Sequence, residues 1–255
     1  MAVVRRSKEY SKGNAMILTI HSTGSRGNFN VVEFSNGKKI IVDFGKTSKY
    51  SAYRDFCAEK HKADEFEFAL ITHRHNDHNG DVEALERLGV RVFYDEVVTS
   101  DLNVKALPLI HNVECNGYMV YSISTNELYV HCTDFSIFPQ NPLRTLACTI
   151  TEAYRKGVKI IFACELAYCD FLYKKLPENK KIGLENHCSL STFCNIMNMI
   201  PVEVPVVTLH ASGRDFEENS VNASVCPKDW IVNNVKQRCR RFVNFGTNKM
   251  KYYSN

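Results

Sequence analysis

Ile71-Thr72-His73-Arg74-His75-Asn76-Asp77-His78-Asn79-Gly80 places three imidazoles and a carboxylate within six residues, directly after the apolar run Phe68–Thr72. A short apolar run that ends in polar residues and glycine reads as a buried strand passing through a turn into a helix. An H-x-H-x-D-H pattern arises by chance about once in two thousand chains of this composition, so the stretch points to metal chemistry. In a turn leaving a strand, His73 and His75 can face one side while Asp77 and His78 face the other. One loop can then serve two adjacent metal ions. Imidazole suits zinc, iron or nickel and the carboxylate tolerates manganese or iron, so this donor set does not by itself name the metal.

The flanking sequence supplies a framework for that loop. Met16–His21 reads as a strand, Gly24 and Gly27 punctuate a loop, and the runs 29–34 and 39–43 flank Ser35-Asn36-Gly37 as a hairpin. A polar helix is expected around Tyr50–Lys60, another at Asp81–Leu88, and strands at Val90–Tyr94, Val104–Leu109, Tyr118–Ile123 and Leu128–His131. Beyond Asp134, helices at Pro142–Lys156 and Ala167–Leu176 enclose the β-branched run Lys159–Cys164. The stretch Lys174–Lys181 reads as a basic loop. Ser189 is placed to cap a helix running to about Met199. Val206–Leu209, a helix at Asp229–Cys239 and the run Arg241–Phe245 complete the chain. Strands first, then alternating strands and helices, predict two sheets covered by helices in an α/β sandwich.

Composition narrows the class. The 255 residues carry 32 Lys+Arg against 28 Asp+Glu, a net charge of +4, and 44% are hydrophobic, which excludes a disordered or collagen-like chain. No apolar run approaches the roughly 20 residues that span a bilayer, and the opening basic stretch lacks an apolar h-region, so a cytoplasmic protein without membrane contact is expected. The ten cysteines contain no C-x-x-C and are expected to be free thiols. Residues 1–14 are read as a flexible basic extension and 15–255 as one domain.

With these elements in place the motif resembles that of the metallo-β-lactamase superfamily of metal-dependent hydrolases. The strand Ile40-Ile41-Val42-Asp43-Phe44-Gly45 resembles the family's strand with an acidic residue that supports the metal loop. Ile110-His111-Asn112 before Gly117-Tyr118 resembles the third histidine motif, His131-Cys132-Thr133-Asp134 the segment whose aspartate bridges two metals, and Val207-Thr208-Leu209-His210-Ala211-Ser212 the closing element. The resemblance implies a metallo-β-lactamase fold, an αββα sandwich of two mixed β-sheets flanked by helices. It also implies two divalent ions, zinc first and manganese second. His73, His75 and His111 would hold one ion, Asp77, His78 and His210 the other, and Asp134 would bridge them.

Thr23-Gly24-Ser25-Arg26-Gly27-Asn28 further resembles the G-S-x-G-N loop of WalJ-type exonucleases and related phage-encoded phosphodiesterases. Glu165 and Asn186-His187-Cys188-Ser189-Leu190-Ser191 resemble later segments of that subfamily, although Leu166-Ala167 stands where it has a pair ending in asparagine. The stretch from Tyr94 to Leu107 leaves no room for a β-CASP clamp.

Five neutral histidines and two carboxylates around two divalent cations sum to +2, a field suited to an anionic substrate. The function implied is phosphodiester hydrolysis by a metal-bridging hydroxide, on a DNA end or on a cyclic nucleotide of the phage anti-defence type. Thioester or lactone hydrolysis is the alternative. Asp77 and His187 are the expected catalytic residues, His187 as the acid that protonates the leaving oxygen, being a lone imidazole at a helix start. Arg26, Lys46, Lys174, Lys175, Lys180 and Lys181 are candidate phosphate contacts, and Phe44, Tyr168 and Tyr173 candidate stacking partners for a base. A homodimer is allowed by the sequence.

Overall fold

The computed structural model describes residues 15–25, 27–168, 184–210 and 250–254, the single positions 170, 174, 178 and 235, and the backbone of 243–245. Two sheets pack face to face. The first has the order β13-β1-β2-β3-β4-β5, formed by β1 (Ile17–Ser22), β2 (Phe29–Glu33), β3 (Lys39–Phe44), β4 (Phe66–Leu70), β5 (Val92–Phe93) and β13 (Met250–Tyr253). The second has the order β12-β11-β10-β9-β8-β7-β6. Its strands are β6 (Val97–Val98), β7 (Leu102–Leu109), β8 (Cys115–Ser122), β9 (Glu127–Cys132), β10 (Lys159–Glu165), β11 (Val206–Leu209) and β12 (Val243–Phe245). Both are mixed: β1–β3 and β6–β9 pair antiparallel, while β3–β5 and β9–β12 pair parallel.

The pleat explains the layers. Along β9, Leu128, Val130 and Cys132 join the outer core with Leu143, Leu146, Ala147 and Ile150 of helix α4 (Gln140–Arg155), a stripe at helical spacing. The alternate residue Tyr129 faces the layer between the sheets, where Ile20, Val42, Phe68, Val120, Ile161 and Val207 meet. On the far face of the first sheet, Phe29, Ile41 and Phe44 pack under α1 (Ala52–Ala58) and α3 (Val82–Arg87). Helix α5 (Leu190–Met199) completes the second outer layer. Its N-cap is Ser189, whose Oγ accepts the N–H of Thr192 at 3.2 Å, as the sequence predicts.

One irregularity positions the site. Opposite β3, Phe29 pairs with Phe44 but Asn30 pairs with Val42, so Asp43 is the extra residue of a bulge. Asp43 has φ +61°. That left-handed residue breaks the alternation: Ile41 and Phe44 both face outward, and the Asp43 carboxylate turns toward β4. Asp43, Asp134 and His210 all have positive φ at strand ends, the kind of strain that collects at functional sites.

Most expected elements are present with boundaries that differ by at most three residues, and most of the helix expected at Ala167–Leu176 lies outside the described residues. The strand expected at 68–72 is β4 over 66–70, which releases Ile71 and Thr72 into the loop. The two-residue β6, the one-turn helix α2 (Asn76–Asn79) and the terminal β13 are additions. The basic stretch 1–14, the helix expected at Asp229–Cys239 apart from Val235, and Arg26, Tyr173, Lys175, Lys180, Lys181, Ala211 and Ser212 lie outside the described residues. Among the described residues no helix is long and apolar enough to cross a membrane, and Cys57, Cys115, Cys132, Cys148, Cys164 and Cys188 are free thiols.

Candidate metal centre

The expected ligands arrive from strand ends of both sheets at one edge of the sandwich. After β4 the chain runs through His73 and His75 into α2, which presents Asp77 and His78. His111 follows β7, Asp134 follows β9 and His210 follows β11. Backbone contacts hold these loops together: the Asn116 N–H donates to Thr72 O (2.9 Å) and the Asn28 N–H to Asp77 O (2.7 Å). Gly45 allows the last approach, because a Cβ there would lie 1.8 Å from Asp77 O.

Donor atoms of His73, His75 and His111 converge in one group and those of Asp77, His78 and His210 in a second. A third group joins His73, His78 and Asp134. The side chains of all seven residues named from the sequence therefore lie together. In the first group His75 Nδ1 lies 3.0 Å from His73 Nε2 and 3.3 Å from His111 Nε2. In the second, His78 Nε2 is 2.6 Å from Asp134 Oδ2 and 3.6 Å from Asp77 Oδ2, and His210 Nε2 is 3.4 Å from Asp134 Oδ2.

The hydrogen bonds around the rings test whether a cation fits. Thr72 Oγ1 and N both donate to Asp43 Oδ1 at 2.9 Å, so Oγ1 is left to accept the Nδ1–H of His73 at 3.0 Å. His111 Nδ1 donates to Asn186 O at 2.9 Å, and His78 Nδ1 to Asp43 Oδ2 at 2.8 Å. His210 Nδ1 faces Glu165 Oε1 at 3.5 Å. His73, His78 and His111 thus have Nδ1 engaged by an acceptor and Nε2 turned inward, the orientation that metal-binding histidines require, and His78 would give up its Nε2 proton to a cation. His210 Nε2 is buried and makes no hydrogen bond among the described residues. Burial, with the His78 charge beside it, pushes His73 down to about 2, so its imidazole is neutral. Burial opposes charge on His78 as well, but the carboxylates of Asp134 and Asp43 raise it well above its ordinary value. The donor set fits a divalent cation in each group.

His187 is not the isolated ring expected from the sequence. It sits in the connection between a 3-10 turn (Leu184–Asn186) and the α5 cap, with Nδ1 2.7 Å from Glu165 Oε1 and 2.9 Å from Asp134 Oδ1. Burial works against its charge, yet the Glu165 and Asp134 carboxylates outweigh it and raise His187 to about 11. Glu165 is fully buried at the inner side of the β10 end, and its Oε2 accepts the N–H groups of Phe135 (3.0 Å) and Cys188 (3.2 Å). Asp43 and Glu165 bring the carboxylates to four and a protonated His187 offsets one, so two bound cations would leave the site at +1.

Other expected contacts fare differently. Phe44 is fully buried in the outer core and cannot stack on a base, because the bulge at Asp43 turns it away from the site. Lys46 is well exposed and lies 3.6 Å from Asp81 Oδ1, and Tyr168 is half-buried. Asn28 was legible only as part of a loop motif. It bonds both nitrogen and oxygen of Gly24 and donates to Asp77 O, so it braces the metal loop.

No protein-family model matches the chain, and no curated protein matches it in sequence. Solved structures do match. The metallo-β-lactamase fold protein YhfI from Bacillus subtilis is 13% identical with a TM-score of 0.65, over 94% of this chain and 100% of its own. Yeast PDE1 is 9% identical with a TM-score of 0.62, over 93% and 99%. The short form of human tRNase Z is 13% identical with a TM-score of 0.59, over 92% and 98%. Together with the two mixed sheets and their helical covers, these likenesses show that the chain has the metallo-β-lactamase fold.

Proposed function

We propose that the protein is a metal-dependent phosphodiester hydrolase whose substrate is a DNA end or a cyclic nucleotide. The observation that supports this most directly is the pair of donor groups joined through Asp134, with the His187–Glu165 pair against the same aspartate. When bound, two divalent cations would acidify a water between them and neutralise charge on the non-bridging phosphoryl oxygens.

The chain's own groups supply the rest. Asp43 and Thr72 fix the ring orientations of His78 and His73. Glu165, anchored by two backbone N–H groups, and Asp134 hold the Nδ1–H of His187. The imidazolium then has its Nε2–H to give to a leaving oxygen, while Nδ1 stays on the carboxylates. His187 is about one fifth exposed, at 21%, which leaves a route for reprotonation from solvent. The segment resemblances of Thr23–Asn28 and Asn186–Ser191 support a nucleotide substrate, and one protein of this fold bears the name tRNase.

The test is to load the protein with zinc or manganese, offer a bis-aryl phosphate and a thioester in parallel, and analyse products by mass spectrometry after incubation with cyclic nucleotides and with linear duplex DNA. Turnover of phosphodiesters is expected. Turnover of the thioester alone would replace this reading by the ester-hydrolase alternative.

A further inference from the structure

His131 is fully buried on β9, in the layer between the sheets, and none of the roles assigned above uses it. It lies on the same face of the strand as Tyr129, two residues earlier, and the Tyr129 hydroxyl is 2.8 Å from its Nδ1. Tyr129 is itself fully buried, and a buried hydroxyl must place its one proton on an acceptor. Among the described residues that acceptor is His131 Nδ1. The ring proton of His131 therefore sits on Nε2, and burial, pushing this group down to about 4, keeps the ring neutral.

Nε2 of His131 is buried and has no hydrogen-bond partner among the described residues. It points across the sandwich to Asp43 Oδ2, 3.8 Å away. That is too long for a hydrogen bond, but in a dry interior the orientation of an N–H dipole beside a carboxylate decides whether the contact attracts or repels. Oδ2 is also the oxygen that holds the Nδ1–H of His78 at 2.8 Å, whereas Oδ1 is occupied by Thr72.

We propose that Tyr129 and His131 form a tautomer lock behind the metal centre: Tyr129 fixes the His131 proton on Nε2, that N–H steadies Asp43 from the opposite sheet, and Asp43 fixes the His78 proton on Nδ1, leaving His78 Nε2 as a donor to the metal. His131 is a positioning residue, acting through Asp43. The lock rests on the reading of His78 as a ligand and adds to it a control reaching from β9 to the first sheet through side chains alone. A ring with the reverse tautomer would present its lone pair to the carboxylate and push Asp43 away from His78.

Two measurements test it, and they fail separately. In the metal-free protein, nitrogen chemical shifts of His131 assigned by NMR should show a neutral ring protonated at Nε2. A ring protonated at Nδ1, or an imidazolium, would overturn the lock whatever the metal binding. Stepwise zinc titration against a chelator should then show two events in the wild type. In His131→Phe the event assigned to the Asp77, His78 and His210 group should weaken about 10- to 100-fold. The first event should stay in place, and any fall in the melting temperature of the metal-free protein should come from the Tyr129 hydroxyl losing its acceptor, so that adding Tyr129→Phe to His131→Phe restores it. His131→Gln, which can again offer an N–H to Asp43, should recover most of the lost affinity. Unchanged affinity in His131→Phe, or equal weakening of both events with a lower melting temperature, would reduce His131 to packing and reject the proposal. A wild type that binds no zinc would remove the metal reading and the lock with it.

Discussion

Glu165 Oε1 lies 2.7 Å from His187 Nδ1, while its partner oxygen Oε2 is held by two backbone N–H groups. The carboxylate cannot turn away without leaving both amides unpaired in a buried site, which costs about 1–3 kcal/mol per group. His187 is thus held by a rigid anion, and a rigid anion keeps an imidazolium in place.

His187→Ala is expected to keep both metals and to lose about 10²- to 10⁴-fold in turnover on substrates with an alkoxide leaving group. On an aryl phosphodiester, whose phenolate leaves without a proton, the loss should be far smaller. Equal losses on the two substrates would remove the acid role from His187.

The same contrast applies to Glu165→Gln. An amide oxygen can still accept a backbone N–H, so the fold should survive, but the negative charge that raises His187 is gone. The expectation is a kcat deficit in the same direction as His187→Ala on alkoxide substrates, with metal stoichiometry unchanged. A KM effect without a kcat effect would contradict it.

Metal analysis should find close to two divalent ions per chain after loading. Asp134→Ala, which removes the carboxylate lying between the two histidine groups, should lower the stoichiometry and abolish turnover. Each site also links to stability: free zinc at a hundred times its Kd would add about 2.7 kcal/mol per site, visible as a lower melting temperature on chelation. A melting curve indifferent to chelator would count against both sites.

Gly45→Ala probes the scaffold. The new Cβ would meet the Asp77 carbonyl oxygen at 1.8 Å, so backbone on one side or the other must shift. A loss of about 3 kcal/mol or more in unfolding free energy is expected, together with loss of metal affinity. Near-native stability by denaturant titration would show that the metal loop gives way at little cost.

Asp101 offers a pH test far from the metals. Burial pushes its carboxyl up, but the N–H of Ser124, with Asn36 and Ser122 side chains, outweighs burial and holds it below the ordinary value. A lowered folded-state pKa means that the contribution is complete above the unfolded value, near 3.9, and fades as pH falls through the folded value. Asp101→Asn should therefore destabilise at neutral pH, and the gap from wild type should close in strong acid. A gap that widens on acidification would reverse the assignment.

The sequence made the histidine loop, the hairpin around Asn36-Gly37 and the capped helix after Ser189 legible, because each depends on neighbours a few residues away. The seven ligands that the resemblance implies lie together. What stayed hidden depends on distance or on a broken rule. Strict alternation along β3 would put Asp43 outward; only the bulge reveals that Asp43 turns in and Phe44 turns out, which is why Phe44 reads as available to a base and is not. The contact between His187 and Glu165 was hidden because Glu165 lies 22 residues earlier, at the end of β10. β13 escaped notice because the residues of Met250–Tyr253 are largely exposed and show no apolar alternation.

The placement of the ligands along the chain has a consequence for biosynthesis. His73, His75 and His111 have all been made by the time the ribosome reaches residue 111, whereas His210 follows about a hundred residues later. At roughly 5–20 residues per second, translation separates the two donor groups by about 5–20 s. The nascent chain therefore meets the cell's metal pool with one donor group complete and the other short of a histidine.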